Sequence, residues 1–577
     1  MGVSLEEKVA RLELLHRVGV ALSAETNKDR LLEMILLEAK KLCNADGGTL
    51  YLRTDADTLR FAIVHTHSLG IALGGTTGKP IDFPEIPMFD PESNEPNRSN
   101  VASCAALMRS SVNIPDAYDA TGFDFSGTKR FDARNKYRSK SFLTIPLVNG
   151  KFRVIGVLQL INARDPETDE VVPFDTEEQR IVEALASQAA VALDNQMLLE
   201  DQRQLLESFI QMIAAAIDSK SPYTGAHCER VPVLTLMLAE AACKSAEGTF
   251  AEFDLSEEEW YELKIAAWLH DCGKVTTPVH VMDKATKLET IWDRIEMVRT
   301  RFAVLERDAR IRMLEAKAAG DANAEAQFET ESAQLREDLA FLEHANMGSE
   351  FLRDEAKDRI REIAKRTYVE GGQRRPLITD DELSNLLIAR GTLTEDERLI
   401  INGHMVQTVQ MLEALPFPRN LRRVPEYAGG HHEKMDGGGY PRGIYAGDMS
   451  LPARMMAIAD VFEALTAQDR PYKKGKTLSE SVRIMGFMKR DNHLDPKLLD
   501  LFIKSGVYRA YAEKYLPPHL IDDVDEEAVL TIEPKAFEAP EDDVRKQRWR
   551  GFLPQYEPLR TSVMGNLTLD HTDPDPD

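Results

Sequence analysis

The 577-residue sequence contains no run of about 20 apolar residues, the length needed to span a bilayer, so no transmembrane helix is expected. Its first residues, Met1 to Arg17, mix charges with leucines and lack the apolar core of an export signal. Cysteine is scarce: five residues, at 43, 104, 228, 243 and 272, an odd number with no Cys-x-x-Cys pair. That argues against a disulfide framework and for reduced thiols in the cytoplasm. Basic residues are outnumbered by acidic ones, 71 to 96, for a net charge of −25. A general nucleic-acid binder needs clustered cations and is not expected. A nucleotide-sized ligand remains compatible, because bound metal ions reverse a local field. What is present is an ordinary globular composition, 43% hydrophobic, in a length suited to about three or four domains.

Residues 5–42 read as helical, with Leu5, Val9, Leu12, Val18 and Leu22 near one face and Leu31, Leu32, Ile35 and Leu36 opening a second segment. Strands follow at 47–53 and 59–64, separated by the hairpin signal Thr54-Asp55-Ala56-Asp57, and later at 142–147 and 154–161. A long helix begins near Asp175-Thr176-Glu177-Glu178, which has N-cap and first-turn acid chemistry. Along it, Ile181, Leu185, Ala189, Leu193 and Met197 lead to Leu205, Phe209 and Met212. That stripe suits a signalling coiled coil over 177–215 joining two domains across a dimer axis; the alternative is a helix packed on its own domain.

Asn113-Ile114-Pro115-Asp116-Ala117-Tyr118, Arg138-Ser139-Lys140-Ser141-Phe142-Leu143 and Ile155–Asn162 resemble a GAF domain over residues 6–195. The resemblance implies an antiparallel sheet with helices that senses a small ligand. It is nearest to GAF domains of cyclic-nucleotide phosphodiesterases and cyclases, with an Asn-Lys…Phe…Asp-Glu signature. Asn162, Phe174 and Glu178 stand at the corresponding places, although Ala163 follows Asn162 and Gln179 follows Glu178. A cyclic nucleotide is thus a candidate GAF ligand; a structural or dimerising domain is the alternative.

Residues 285–368 consist mostly of helix formers and charges. Ile295, Val298, Phe302 and Leu305 make a short seam, Gly320-Asp321 a turn, and Leu335, Leu339 and Leu342 a second seam, which predicts an antiparallel helical hairpin. Beyond residue 516 the chain is acidic and Pro-rich, and 516–577 reads as a loosely ordered tail in which Trp549, Arg545, Lys546, Arg548 and Arg550 dock locally.

His270-Asp271 follows an apolar helical run and precedes Gly273-Lys274. A carboxylate can bridge two divalent metals and an imidazole can fix one of them. Such a pair is common by chance. The same region also holds His227, His404, His431-His432 and Asp460 in apolar or glycine-rich settings. Adjacent histidines before Gly437-Gly438-Gly439 suit a metal site beside a loop that approaches a ligand closely. His65, His67, His280, His344, His493 and His519 have no such companions and read as structural or exposed, and Cys272 as a small buried filler.

Four motifs, Tyr223-Thr224-Gly225-Ala226-His227, His270–Lys274, His431–Pro441 and Asp460–Thr466 with Arg470-Pro471-Tyr472-Lys473, resemble the HD-GYP subgroup of the HD phosphohydrolase superfamily. The resemblance implies an all-helical bundle over 205–515, interrupted by the insertion at about 285–390, hence a multidomain α+β and all-α chain. It implies hydrolysis of cyclic di-GMP to linear pGpG or GMP. It implies metal ligation by His227, His270, Asp271, His404, His431 and Asp460, with Asp271 bridging and His432 serving a further metal or the ligand. Tyr223 stands where some members place a third-metal glutamate, which favours two ions, iron or manganese first and zinc or nickel as alternatives. Lys274 and Arg470, with Lys473, are placed to offset phosphate charge; a solvated lysine and a surface salt bridge are the alternatives. Gly439, Tyr440 and Pro441 either shape the substrate entrance or a partner dock, or form a plain turn. The insertion is a lid, a dimer contact or a partner dock. Rival readings are a non-enzymatic signalling module and a hydrolase of another cyclic dinucleotide.

Overall fold

The computed structural model describes residues 5–220, 227–246, 248–467 and 475–561. It comprises two compact units, Met1–Leu206 and Glu207–Asp577. In the first, helices α1 (Leu5–Ala24) and α2 (Lys28–Leu42) precede β1 (Ala45–Arg53) and β2 (Thr58–Thr66). Asn27 starts α2 by accepting the Arg30 amide at 3.0 Å. The hairpin turns where Asp57 takes a φ of 55°. There follow β3 (Ile71–Gly74), β4 (Ile86–Pro87), α3 (Val101–Met108), β5 (Val112–Ile114), α4 (Ser126–Asn135), β6 (Phe142–Val148), β7 (Val154–Arg164), β8 (Val171–Val172) and α5 (Thr176–Lys220). The sheet is antiparallel in the order β3-β2-β1-β7-β6-β5, with β4 on β2 and β8 on β7.

Strands β1 and β7 are buried nearly end to end instead of alternating, because helices cover both faces. Leu50, Leu158 and Leu160 pack with Leu31 and Ile35 of α2 and Leu185 and Leu193 of α5. Tyr51 and Val157 face Ala102 and Ala106 of α3. The stripe on the 45-residue α5 divides accordingly. Leu185, Ala189 and Leu193 are buried in their own domain, whereas Leu205, Phe209 and Met212 are more than half exposed. The first half of the stripe is packed on its own domain, and the second half is exposed.

The second unit takes in the end of α5 from Glu207, then α6 (His227–Cys243), α7 (Glu257–Leu269) and the short α8 (Val279–Met282). Ser256 and Glu259 form a capping box at the start of α7. After the insertion come α13 (Glu395–Asn402), α14 (His404–Glu413), α15 (Val424–Gly429), α16 (Leu451–Thr466), α17 (Leu478–Arg490), α18 (Pro496–Lys504), α19 (Val507–Tyr515), α20 (Glu526–Leu530) and α21 (Asp542–Arg550). Val231, Leu234, Ala266, Ile458, Phe462, Leu498 and Phe502 lie in its shared core.

The insertion is larger than a hairpin. Helices α9 (Ile295–Ala318) and α10 (Ala324–Asn346) pair as the seams predict, and α11 (Asp354–Ala364), the β9–β10 hairpin (Thr367–Glu370, Gln373–Pro376) and α12 (Asp380–Leu386) are added. Its own core includes Val298, Phe302, Leu342, Ile360 and Leu377. Its two ends are stapled together. Buried Lys284 donates to Glu397 at 2.8 Å and Asn385 at 2.9 Å, and Lys287 donates to the Leu386 and Ile388 carbonyls. The chain therefore leaves and re-enters the bundle at one place.

The expectation of a loosely ordered tail is corrected for the described part of it. Through Thr561, residues beyond 516 fold onto the bundle, burying Leu520, Val529 and Tyr556. Arg545 pairs with Asp448 at 2.7 Å, and Arg548 donates to the Gly443 carbonyl at 2.9 Å. The sparse apolar residues suffice because these charged contacts supplement them.

Candidate metal centre

Seven side chains converge from five places on the bundle: His227 opens α6, His270 and Asp271 follow α7, His404 opens α14, His431 and His432 follow α15, and Asp460 lies within α16. Their donor atoms form two groups, each with all atoms within 4.8 Å of one another: His227, His270, Asp271 and Asp460; and Asp271, His404, His431 and His432. Asp271 is common to both. Its Oδ2 lies 3.2 Å from His270 Nε2 and 3.5 Å from His227 Nε2, and its Oδ1 lies 3.2 Å from His404 Nε2.

Backbone carbonyls aim the rings. The Nδ1 atoms of His270 and His431 contact the Ala267 and Ala428 carbonyls at 2.8 and 2.7 Å, and His404 Nδ1 contacts that of Ile401. His227 Nδ1 contacts Glu463, which also accepts from Arg230 at 2.6 Å. With Nδ1 occupied, each Nε2 turns inward. The Nε2 atoms of His227, His270, His404 and His431 and the Oδ1 of Asp271 are buried with no hydrogen-bond partner. Orphaned buried acceptors are costly unless something satisfies them. Two donors each about 2.1 Å from a shared ion stand roughly 3.0–3.4 Å apart; the His270–Asp271, His404–Asp271 and His227–Asp460 pairs stand at 3.2, 3.2 and 3.3 Å, and His227–Asp271 and His270–Asp460 are wider, at 3.5 and 3.9 Å. The donor set fits divalent metal ions, and the Nδ1 contacts to carbonyls and to Glu463 are of the kind that metal-binding histidines usually make.

Charge states agree with this. Burial, reinforced by His270, pushes His431 down to about 4, and burial with His431 holds His432 well below its ordinary value, so both rings are neutral, the state in which imidazole can bind a metal. Burial alone would raise Asp271; Lys274 and His270 outweigh it and hold the carboxyl well below the usual range. Asp460 is lowered against its burial by His227. His227 is the exception: burial opposes its charge, yet Asp271, Asp460 and Glu463 raise it well above normal. A metal ion would displace that proton.

Helix α7 ends at Leu269, and a 3-10 turn, Cys272–Thr276, carries Lys274 off the helical face. Gly273 makes this turn possible. A Cβ there would meet the His404 carbonyl at 2.0 Å, and its amide donates to Thr408 Oγ1 at 2.9 Å, pinning Asp271 against α14. Lys274 Nζ reaches Asp271 Oδ2 at 2.5 Å. Burial opposes its charge, and Asp271 with Asp460 keeps it fully protonated. Tyr440 stacks on His432 at 4.8 Å between ring centroids. Gly439 lies against the Lys434 amide, which a Cβ would meet at 2.3 Å. The Pro441 carbonyl accepts from the Leu553 amide at 2.9 Å.

Tyr223, Arg470 and Lys473 lie outside the described residues. In the first unit, the Asn162 side chain accepts from the Lys140 amide at 2.7 Å and donates to the Arg138 carbonyl and the Tyr137 hydroxyl. Phe174 is buried, and Glu178 accepts from the Asp175 amide in closing the start of α5. These three are committed to internal contacts.

Two further residues escaped the sequence reading. Glu463 stands one turn after Asp460, a spacing that would have placed it on the same face. Buried Glu433 accepts from the amides of Arg442, Gly443 and Ile444 and so shapes the loop after His432; nothing in its local sequence announces that.

The fold comprises an α+β domain and a helical domain that gathers the donor set, and residues 27–193 match the GAF domain family while residues 378–498 match the HD domain family. The chain thus carries a GAF domain and an HD domain. The HD match includes His404, His431, His432 and Asp460 and begins downstream of His227, His270 and Asp271. Among relatives, the chain is 40% identical over 116 residues to a 3'3'-cGAMP-specific phosphodiesterase 1 of Vibrio cholerae serotype O1, covering 20% of this chain and 26% of that protein. It is 38% identical over 119 residues to a cyclic di-GMP phosphodiesterase of Pseudomonas aeruginosa, covering 20% and 28%. A 3'3'-cGAMP-specific phosphodiesterase 2 of Vibrio cholerae is 22% identical over 327 residues, 57% of this chain and 40% of that protein. The matches span about a quarter of the length of the first two. Among the described residues, no helix is long and apolar enough to cross a membrane.

Proposed function

We propose that this chain is a metal-dependent cyclic dinucleotide phosphodiesterase of the HD-GYP type, cleaving cyclic di-GMP to pGpG or GMP under control of its GAF domain. The observation that supports it most is the pair of four-donor groups sharing Asp271. Divalent ions held there, iron or manganese first, would supply Lewis-acid charge to a phosphate and lower the pKa of water. The chain supplies the rest. Lys274 keeps its proton beside Asp271 and sets a cation at the edge of the cluster, where it offsets charge developing on phosphate. Arg470 and Lys473 are assigned the same task. The Gly439-Tyr440-Pro441 loop forms one wall of the site through the stacking of Tyr440 on His432.

The exposed Leu205, Phe209 and Met212 favour a homodimer through α5, by which the GAF domain would bias the HD domain in a reducing cytoplasm. The insertion is the surface proposed for a protein partner, because residues 548–556 cover the Pro441 and Gly443 end of the loop. A second substrate, 3'3'-cGAMP, is favoured by the names of two relatives. The cluster addresses phosphate and not the base, so both substrates fit it.

The test is turnover by the full chain, purified without oxygen and loaded with iron or manganese, on cyclic di-GMP and 3'3'-cGAMP, with products separated by chromatography. Linear dinucleotide or mononucleotide is expected from cyclic di-GMP. A metal-loaded chain that leaves every cyclic dinucleotide intact would sink this reading in favour of a non-enzymatic signalling module.

A further inference from the structure

The C-terminal segment crosses two elements that supply donors to the same metal group. Helix α14 carries His404, and the loop after α15 carries His431 and His432. On the loop side, the Leu553 amide donates to the Pro441 carbonyl at 2.9 Å, Arg548 donates to the Gly443 carbonyl at 2.9 Å, and the guanidinium of Arg442 lies over Phe552. On the helix side, Gln407 donates to the Leu559 carbonyl at 3.1 Å, and Leu559 packs where a Cβ on Gly403, the residue before His404, would stand. Tyr556 touches both. It is buried, its ring lies 6.1 Å from that of Tyr440, and its hydroxyl accepts from Asn402 at 3.1 Å. Tyr440 in turn stacks on His432, whose ring meets that of His404 at 5.3 Å.

We infer that residues 541–561 form a strap whose Tyr556 is a positioning residue for the metal group of Asp271, His404, His431 and His432. The inference rests on the reading of the cluster as a two-ion centre. The other group has a different support: His227 is held by Glu463 and Arg230, and Asp460 lies inside α16, with no contact from the strap among those described. Loosening the strap should therefore weaken one ion and spare the other. Tyr556 is not one of the donor residues, and its role runs through its contacts with Tyr440 and Asn402.

The experiment is titration of the metal-free full chain with Mn(II), followed by calorimetry and by the electron paramagnetic resonance of free Mn(II), for wild type, Tyr556→Ala, Tyr556→Phe and Arg548→Ala. Wild type should take two ions. Tyr556→Ala should lower the affinity of one step about tenfold or more, as loss of an outer-shell partner does, and leave the other unchanged. Tyr556→Phe, which keeps the ring, should restore most of that loss. Arg548→Ala, far from the ligands, should shift the same step by less, and it carries the test if Tyr556→Ala does not fold. Two unchanged steps in Tyr556→Ala and Arg548→Ala, or equal weakening of both steps, would overturn the strap. A wild-type chain that takes fewer than two ions would overturn the two-ion reading and the strap with it.

Discussion

Asp132 in the first unit and Asp271 in the second are both buried carboxylates, and their surroundings differ in kind. Asp132 accepts from the Ser139 amide, the Ser139 hydroxyl and the Tyr118 hydroxyl, each at 2.8 Å. Asp46 is similarly filled by Ser68 and Tyr137. Asp271 instead faces imidazole nitrogens that hydrogen-bond to nothing, and its own Oδ1 is unmatched. Both environments are polar and buried. One is closed by its own hydrogen bonds and holds a fold together; the other gathers unmatched donor atoms that a divalent ion would complete. Burial of a carboxylate does not identify a site, whereas convergence of unsatisfied donors does.

The sharpest way to break this contrast is Asp271→Asn. It keeps the shape and removes the charge shared by the two groups. Metal affinity should fall by more than the roughly 100-fold that loss of an outer-shell partner costs, and turnover should vanish with it. Competition with a chelator measures the first. A variant that holds its ions as tightly as wild type would erase the distinction. Next in size is Glu463→Gln, which leaves the His227 contact in place but uncharged. A weakening of about 10- to 100-fold is expected in the same titration, with folding intact. Asn162→Ala tests the closed kind of site. It strips acceptors and donors from four internal partners and should cost the GAF domain about 3 kcal/mol in a thermal melt, with metal binding untouched.

Much of this was legible because it is local. The two opening helices, the β1–β2 hairpin and the paired seams of α9 and α10 follow from periodicity and turn residues that need no distant partner. The donor cluster was legible as a candidate because histidines beside glycine and aspartate are poor core material, and the resemblance to a known family implied the set. What escaped depends on distant contacts. The described part of the tail is acidic and Pro-rich, and its order comes from Arg545 meeting Asp448 and Tyr556 meeting Asn402. Glu433 holds a loop through backbone amides, which no side-chain pattern encodes.

The smallest expected effect separates the two units by pH. In the GAF domain, burial of Asp46 is outweighed by the bonds from Tyr137 and Ser68, so its folded pKa lies below the ordinary 3.8. Its contribution is present above that value and is lost as pH falls through the folded pKa. Glu262 on α7 behaves oppositely. Burial pushes it from 4.5 to about 7 despite the bond from the Arg423 amide. Below pH 4.5 it is neutral in both states and costs nothing. Between 4.5 and about 7 the unfolded chain loses the proton that the folded chain keeps, so stability declines as pH rises, and above about 7 the loss is constant. Glu262→Gln keeps the acceptor for Arg423 and removes the titration. The variant should therefore gain about 1–2 kcal/mol over wild type at pH 8 and little or nothing at pH 4.5. Thermal melts of the metal-free chain at the two pH values read the difference directly. Equal gains at both would mean that Glu262 is not the group titrating, and the two units would then share one response to acid.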